Sequence, residues 1–321
     1  MSMSPIYQEV RVFAPATVAN LSCGYDVLGL AIDGPGDEVV LRVVDDADFK
    51  GLRIVEITGD NGILPLEVEK NTAGVAAQSV LEYFNAQGMS LEMEIHKKMP
   101  FGSGLGSSAA SSVAGAFAVN ALFGEKLTKR NLISHAMKGE ALASGAFHAD
   151  NVAPCMLGNI TLIHCNASLG IVELPSPKQL YLTVVYPHIE ILTKEARNLV
   201  PKEIAVSTAT HQASKLAGLV HGLHTSNFSL IGECLVDQIA EPNRQMLITG
   251  YEEACEAALD VGAVGFGISG SGPSVYAISE GEQSAEQVAE VVGDVFEACD
   301  LNYEAFVSSV NSQGAIILST K

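Results

Sequence analysis

The clearest chemical signal in the sequence is a glycine-rich segment at residues 100–110, which reads P-F-G-S-G-L-G-S-S-A-A. An alternating apolar and polar run at residues 91–96 precedes it and predicts a strand, and a run of small residues to about Asn120 predicts a helix after it. Strand, glycine loop and helix in this order form an anion site, because glycines expose backbone N–H groups and the helix start is partially positive. The segment therefore predicts a phosphate-binding loop.

This loop lacks the features of two common nucleotide-binding motifs. No lysine follows its last glycine, as a Walker A loop requires, and Ser107 stands where the dinucleotide fingerprint has its third glycine. Taken alone, the segment is also compatible with a tight connection in which Ser107 caps the next helix. Both interpretations stay open on the loop by itself.

Two turns present further polar side chains, which on the pattern alone could be ordinary loop residues. One follows an alternating strand that we expect to end at Pro15, and it contains Asn20, Gly24 and Asp26. The other begins at residue 148 and reads H-A-D-N-V-A-P.

Metal and disulfide chemistry have little support in the sequence. The pair His221 and His224 has no acidic or cysteine partner to complete a metal site, and the six cysteines include no Cys-x-x-Cys pair. We therefore expect reduced thiols and no zinc site.

The composition favours an ordered, soluble chain. Its 321 residues are 48% hydrophobic, enough for a sizeable core, and the net charge of −19 repels nucleic acid and anionic lipid. No apolar stretch approaches the roughly 18 residues that span a bilayer, and the N-terminus has no signal-type segment. We expect a cytoplasmic protein with no nucleic-acid or membrane partner.

The elements that must position these residues alternate between strands and helices. Apolar spacing predicts helices at residues 72–84, 129–143 and 244–259. Residues 170–177 contain E-L-P-S-P and predict an exposed linker, so we expect domains at residues 1–172 and 173–321. The order of strand and helix patterns in the second domain predicts helices layered against an antiparallel sheet. We therefore expect the α+β fold class.

Three segments resemble the three motifs of the GHMP small-molecule kinases in amino-acid sequence, order and spacing. They are A-P-A-T-V-A-N-L-S-C-G-Y-D-V-L-G from Ala14, the loop at residues 100–110, and G-I-S-G-S-G-P-S from Gly267. Within this superfamily the homoserine kinases are the most similar, through three further segments. Those are H-A-D-N-V-A-P-C-M-L-G from His148, T-K-E-A-R from Thr193 and A-E-P-N-R from Ala240. The resemblance covers nearly the whole chain and implies a two-domain GHMP kinase fold, with an N-terminal ribosomal-protein-S5-like domain, a C-terminal ferredoxin-like domain and the site between them.

The resemblance implies an ATP-dependent kinase that phosphorylates the side-chain hydroxyl of L-homoserine to O-phospho-L-homoserine, on the route to threonine. Ser108 and Glu140 would hold Mg²⁺, which prefers hard oxygen ligands. Asn71 matches an adenine-contact position, although an Asn there is equally a helix N-cap. The residues implied to receive the triphosphate are Pro100, Phe101, Gly102, Ser103, Gly104, Leu105, Gly106, Ser107, Ser108, Ala109 and Ala110.

The implied substrate clamp has cations for one end of homoserine and an acid for the other. Arg197 and Arg244 occupy the positions that receive the carboxylate, which a guanidinium can bind bidentately. The residues implied at the ammonium and hydroxyl end or at other substrate positions are Asn20, Asp26, His148 and Gly270.

The implied proton transfer has no dedicated carboxylate base. Mevalonate-type members use an Asp base beside a Lys, whereas Asn151 and Thr17 stand at those positions here, as in the homoserine kinase pattern. A loose transition state needs little activation of the nucleophile, so we expect direct in-line transfer in which Asn151 orients the hydroxyl, with His148 as the alternative base. The predicted catalytic residues are Asn20, Glu140 and Asn151.

Two other functions stay open. Another GHMP kinase could act on a different small alcohol, although the pair Arg197 and Arg244 suits an amino-acid carboxylate. A non-catalytic sensor of a nucleotide or an amino acid could use the same fold, although it would be expected to lose Ser108, Glu140 or the glycine loop first. The resemblance also suggests a homodimer.

Overall fold

Two β-sheets covered by helices form the part of the chain that the computed structural model describes, residues 4–100, 102–145, 147–191 and 193–321. The strands are β1 (Glu9–Ala19), β2 (Leu28–Val43), β3 (Gly51–Thr58), β4 (Ser90–His96), β5 (Ile160–Cys165), β6 (Gly170–Leu174), β7 (Leu180–Pro187), β8 (Gly265–Ile268), β9 (Val275–Glu280), β10 (Tyr303–Ser309) and β11 (Ile316–Thr320). The helices are α1 (Thr72–Tyr83), α2 (Ser107–Leu122), α3 (Lys129–Ser144), α4 (Val152–Leu157), α5 (Thr193–Asn198), α6 (Val206–Thr225), α7 (Phe228–Cys234), α8 (Glu241–Arg244), α9 (Tyr251–Asp260) and α10 (Glu282–Ala298).

The first sheet has the order β11-β1-β2-β4-β3, and β5 and β6 extend it beside the first half of β2. Strand β2 is long because it pairs with β1 along most of its length, with β5 at Leu28–Leu30 and with β4 at Glu38–Val43. The described pairs of this sheet are antiparallel except β3 with β4. Apolar side chains of β1, β2 and β4 pack against α1 to α4 in one core.

Helix α2 lies at the centre of this layer. Fifteen of its sixteen residues are buried, and the one that is not is Ser108. Its alanines, serines and glycine are small enough for α1, α3 and two strands to approach it closely. The N-terminus of this buried helix directly follows the glycine-rich loop.

The second sheet has the order β10-β7-β9-β8 and is antiparallel throughout. Helices α9 and α10 cover it, and Val288, Val292 and Phe296 of α10 pack into a second core. The chain changes sheets between β6 and β7, and β11 returns to pair with β1. The predicted domain boundary after residue 172 therefore falls within β6, and the division into 1–172 and 173–321 stays a prediction.

Three predictions about individual elements were wrong. Strand β1 does not end at Pro15, because a register shift between Pro15 and Thr17 accommodates a residue that has no N–H to donate. Residues 170–177 are not all linker, since Ile171 and Leu174 are buried and β6 pairs with β5. Residues 244–259 are not one helix, because a 3-10 turn and Gly250, at φ 81° in the left-handed region, separate α8 from α9.

Candidate active site

The three glycine-containing motifs lie against one another in the structure. The first spans the end of β1 and the turn to β2, the second is the loop before α2, and the third spans the end of β8 and the turn to β9. The hydrogen bonds that join them are Thr17 N–H to Leu105 O at 3.0 Å, Gly270 N–H to Ala19 O at 3.2 Å, Ser274 N–H to Ser103 O at 3.0 Å and Ser269 Oγ–H to Gly104 O at 2.8 Å. Motifs that are about 250 residues apart in sequence therefore form one site.

The glycine-rich loop requires glycine at its last position. Gly106 has φ 70°, and a Cβ there would lie 2.1 Å from Thr17 Oγ1 and 2.9 Å from Asn151 Oδ1. Helix α2 begins directly after it, so the N–H groups of the first turn and the positive end of the helix lie beside the loop. The loop can bind phosphate through its backbone.

The predicted phosphate-loop residues differ in what they can offer. The Ser103 hydroxyl donates to Pro100 O at 2.8 Å, the side chains of Ala109 and Ala110 are buried in the core, and Ala110 N–H already donates to Gly106 O. Phe101 lies outside the described residues.

The side chains of Ser108 and Glu140 meet at the start of α2. Burial raises the pKa of the Glu140 carboxyl to about 7, the hydrogen bond with Ser108 lowers it, and the Asp150 charge raises it. Two hard oxygen donors at this place could hold a divalent cation, whose charge would favour the ionised carboxylate. The described residues contain no group of three or more His, Cys, Asp and Glu side chains suited to a metal.

Asp26 and Arg197 form a bidentate ion pair. Arg197 Nη1 and Nη2 lie 3.3 and 3.2 Å from the two carboxylate oxygens, and Asn20 Oδ1 accepts the backbone N–H of Asp26 at 3.0 Å. His148 Nδ1 lies 3.7 Å from Asp26 Oδ2. Arg197 Nε and His148 Nδ1 are buried and make no hydrogen bond within the described ranges. The residues predicted for opposite ends of the substrate thus contact each other and leave two polar atoms to be satisfied.

Arg244 is nearly fully buried beside this pair. Its Nε donates to Ala196 O at 3.1 Å and its Nη1 to Gly270 O at 2.9 Å, and its guanidinium lies 5.4 Å from the centre of the Tyr25 ring. Asn20 Nδ2 donates to the same Gly270 oxygen at 2.9 Å. Arg244 therefore connects α5 and the third motif to the first motif, and both Arg244 and Asn20 line a small cavity.

The two residues that stand at the base positions of other superfamily members contact each other. Thr17 Oγ1–H donates to Asn151 Oδ1 at 2.7 Å. An amide whose oxygen is engaged in this way presents its NH₂ group as a donor. Neither side chain can act as a base at neutral pH.

Comparisons with known proteins agree with this arrangement. Residues 71–159 match the model for the GHMP kinases N terminal domain, and residues 219–298 match that for the GHMP kinases C terminal. The chain is 45% identical to a homoserine kinase of Chlorobaculum tepidum over 98% of its own length and 99% of the relative's. The chain belongs to the homoserine kinase family. It is accordingly a phosphotransferase with an alcohol acceptor, and the predicted family is confirmed.

Solved structures of homoserine kinases share this fold. A crystal structure of homoserine kinase from Cytophaga hutchinsonii is 47% identical, with a TM-score of 0.94 over 99% of this chain and 100% of that one. A mevalonate kinase of L. major in complex with R-mevalonate has a TM-score of 0.73 at 17% identity, over 97% and 99% of the two chains, and shows the fold alone. The predicted α+β two-domain GHMP fold is confirmed. No helix in the part of the chain that the structure describes is long and apolar enough to cross a membrane.

For this homoserine kinase family member, sequence reasoning overlooked Asp150. Its pKa is raised to about 7, chiefly by burial and also by the Asp26 charge, while the Arg197 charge lowers it. The signal was its position between His148 and Asn151 in a turn already noted as polar.

Asn71 acts as the N-cap of α1. Its Oδ1 accepts the N–H groups of Ala73 at 3.0 Å and Gly74 at 3.3 Å, and its Nδ2 donates to Pro65 O at 3.1 Å. The helix-cap interpretation is confirmed, and the adenine contact stays a prediction.

Proposed function

We propose that this chain transfers the γ-phosphoryl group of ATP to the side-chain hydroxyl of L-homoserine and releases O-phospho-L-homoserine. The observation that carries the proposal is the pairing of Asp26 with Arg197, with Arg244 alongside, next to a phosphate-type loop. A zwitterionic amino acid needs one anion and at least one cation from its site, and these three residues supply them. Curated relatives at 37–45% identity over 97–98% of the chain carry the name homoserine kinase, which supports the same substrate.

In this proposal the triphosphate of ATP binds to the backbone of the loop and to the start of α2. A protein of net charge −19 cannot attract ATP by its overall field. Oriented N–H groups, the helix terminus and a bound cation solve this problem locally, because they act over a few ångströms in a partly buried site.

The Ser108 hydroxyl and the Glu140 carboxylate are the proposed protein ligands of Mg²⁺. Bound Mg²⁺ would neutralise charge on the phosphate oxygens. The pKa of Glu140, about 7, means that the carboxyl is only partly ionised near neutral pH unless a cation is beside it. Replacing Glu140 with an uncharged residue should therefore weaken the response to Mg²⁺.

Homoserine would bind by exchange with the ion pair already present. Its ammonium group replaces Arg197 as the partner of Asp26, and its carboxylate replaces Asp26 as the partner of Arg197, with Arg244 as a second cation. Arg197 Nε, which makes no hydrogen bond to the described residues, is a further donor for the substrate, and His148 Nδ1 is a further donor or acceptor. In-line transfer then needs the substrate hydroxyl to point toward the loop.

Asn151 orients that hydroxyl in the proposed transfer. The hydrogen bond from Thr17 fixes the amide of Asn151 and leaves its NH₂ group to donate to the substrate oxygen. The hydroxyl proton leaves late, to a γ-phosphate oxygen or to solvent. A loose transition state needs little activation of the nucleophile, so the hydroxyl can attack before it loses its proton. The proposal also places the reaction in the cytoplasm, in threonine biosynthesis and in a homodimer, as the family resemblance implies.

The test is ADP release by the purified protein with MgATP and a panel of L-homoserine, L-serine, L-threonine, mevalonate and galactose. Turnover on L-homoserine alone, lost in Glu140→Ala and kept in Glu82→Ala, supports the proposal. Glu82 is the matched control because it is an exposed glutamate on α1, outside the site. Turnover on another alcohol would overturn the substrate assignment, and ATP binding without turnover would favour a sensor.

A further inference from the structure

Asp37 of β2 is fully buried and contacts the segment that enters the phosphate loop. Its Oδ1 accepts the backbone N–H groups of Lys98 at 3.0 Å and Met99 at 3.3 Å, the two residues before Pro100. These bonds fix the backbone where the chain leaves β4 and turns into the loop.

The same carboxylate also contacts the segment that leaves the loop. Its Oδ2 accepts the hydroxyl groups of Ser107 at 3.1 Å and Ser111 at 3.3 Å, in the first two turns of α2. One side chain therefore holds both ends of the loop at residues 100–106.

Lys97 completes this buried cluster. Its Nζ forms an ion pair with Asp37 and donates to Ser107 O at 2.9 Å and to Ser111 Oγ at 2.7 Å. The side chains of Lys97 and Asp37 are 3% and 0% exposed. We call Asp37, Lys97, Ser107 and Ser111 the loop clamp.

A buried ion pair is a poor way to stabilise a fold. Desolvation of two charges offsets most of their attraction, and apolar residues of similar volume are often as stable. The loop clamp lies where the geometry of a glycine-rich segment has to be fixed, and β2 is a rigid support for it because it pairs with both β1 and β4. Its position points to a role in the loop beyond stability.

We infer that Asp37, with Lys97 as its counterion, is a positioning residue that sets the distance between the two ends of the phosphate loop and thereby aligns its N–H groups for the triphosphate. The inference rests on the proposed function, since it assigns the loop to ATP. Backbone N–H groups that already point toward the phosphate site need no rearrangement when the triphosphate binds, so no free energy of binding is lost to ordering the loop. A loop without the clamp keeps its glycines and its sequence but binds nucleotide less tightly.

The double variant Asp37→Ala with Lys97→Met tests this inference without leaving a buried charge unpaired. We expect it to unfold cooperatively and to show a Kd for MgADP, measured by titration calorimetry, about tenfold above that of the unaltered protein, the loss of roughly one charge-assisted hydrogen bond. The KM for ATP rises by the same factor, and the KM for L-homoserine stays within about twofold.

Ser111→Ala is a second, milder variant, because it removes two hydrogen bonds of the clamp and no charge. We expect its Kd for MgADP to rise about threefold. Ser79→Ala is the matched control, since Ser79 is a buried serine of α1 whose hydroxyl bonds His135 Nδ1 at 2.8 Å, away from the loop. This control loses stability and keeps its Kd within about twofold.

Unchanged nucleotide affinity in the double variant and in Ser111→Ala would overturn the inference. If the double variant does not fold, Ser111→Ala against Ser79→Ala decides the question. Equal changes in the KM for ATP and for L-homoserine would also contradict a role confined to the loop. An unaltered protein that binds no MgADP would overturn the proposed function itself and, with it, the purpose assigned to the clamp.

Discussion

Asp26 and Arg197 bind each other bidentately at the place where the proposed substrate would present an ammonium group and a carboxylate. A ligand with both charges can replace both halves of this pair. A ligand with only one charge leaves either Asp26 or Arg197 without its partner, which costs part of the binding energy. In the proposed mechanism, selection for an amino acid over a neutral alcohol therefore depends on Asp26 and Arg197.

Arg197→Met tests this charge exchange. We expect the KM for L-homoserine to rise at least about thirtyfold while the KM for ATP changes little, because a bidentate charge-assisted contact is lost and the loop is untouched. Steady-state kinetics with each substrate varied in turn measures both constants. Arg130→Met, which removes the exposed ion pair with Glu173, is the control. Equal effects of Arg197→Met and Arg130→Met on the KM for L-homoserine would contradict the proposed exchange of the substrate with the Asp26–Arg197 ion pair.

Asp150→Asn tests the absence of a dedicated base. We expect kcat to stay within about tenfold, and the pH profile of kcat between pH 6 and 8 to keep its shape, because in the proposed mechanism Asp150 takes no proton from the substrate. Stopped assays across this pH range check both expectations. Asp150 would be the base if two results were found together. One is a fall of about 10² or more in the kcat of the variant, and the other is a rise of kcat with pH near 7, the pKa of Asp150, that the unaltered protein shows and the variant lacks.

At the scale of elements, sequence patterns predicted the strands, helices and caps that depend on residues close together in the chain. The alternation of β4, the small residues of α2 and the N-cap of α1 were all visible in the sequence and are confirmed. The length of β2 was not visible, because it depends on pairing with three other strands. The bond between Asp37 and the loop joins residues about 60 positions apart, which no local spacing indicates.

Gly106→Ala tests the close packing of the loop. A methyl group there would overlap Thr17 Oγ1 in a left-handed backbone conformation, so we expect the affinity for MgATP to fall by roughly a hundredfold. Gly281→Ala is the control for a methyl group added at a positive φ, because Gly281 has φ 94° but no atom of the described residues lies within 4 Å of an added Cβ. It should lose stability through backbone strain and bind MgATP normally. Normal MgATP affinity in Gly106→Ala would contradict the packing described for the loop.

At the scale of the whole molecule, a buried polar cluster joins the second sheet to the first motif. Glu241 accepts hydrogen bonds from Tyr251 and, at 3.4 Å, from Ser22, and the Ser22 and Tyr276 hydroxyl groups lie 2.9 Å apart. The pKa of the Glu241 carboxyl is raised to about 7, chiefly by burial and also by the Asp237 charge, although the Tyr251 hydrogen bond lowers it. The protonation of this group therefore couples folding to pH.

The stability of the protein should fall as the pH rises from about 4.5 to 7. In this range folded Glu241 keeps a proton that the unfolded chain, with an ordinary pKa near 4.5, has released, so the contribution is complete below 4.5 and lost above 7. The expected contribution of Glu241 is about 3 kcal/mol, and Glu140 and Asp150, whose pKa values are also raised to about 7, act in the same direction. Urea unfolding at pH 5, 6, 7 and 8 measures it, and Glu241→Gln should flatten the dependence by that amount. An identical slope in the variant would contradict the burial of an ionisable Glu241.

The most direct test of the central claim is ³¹P nuclear magnetic resonance of a reaction that contains MgATP, L-homoserine and the protein. We predict loss of the γ-phosphate signal of ATP in step with growth of one phosphomonoester signal, which splits by coupling to the methylene protons next to the esterified hydroxyl. Inorganic phosphate as the only product, or a phosphomonoester that forms equally well without L-homoserine, would contradict the account.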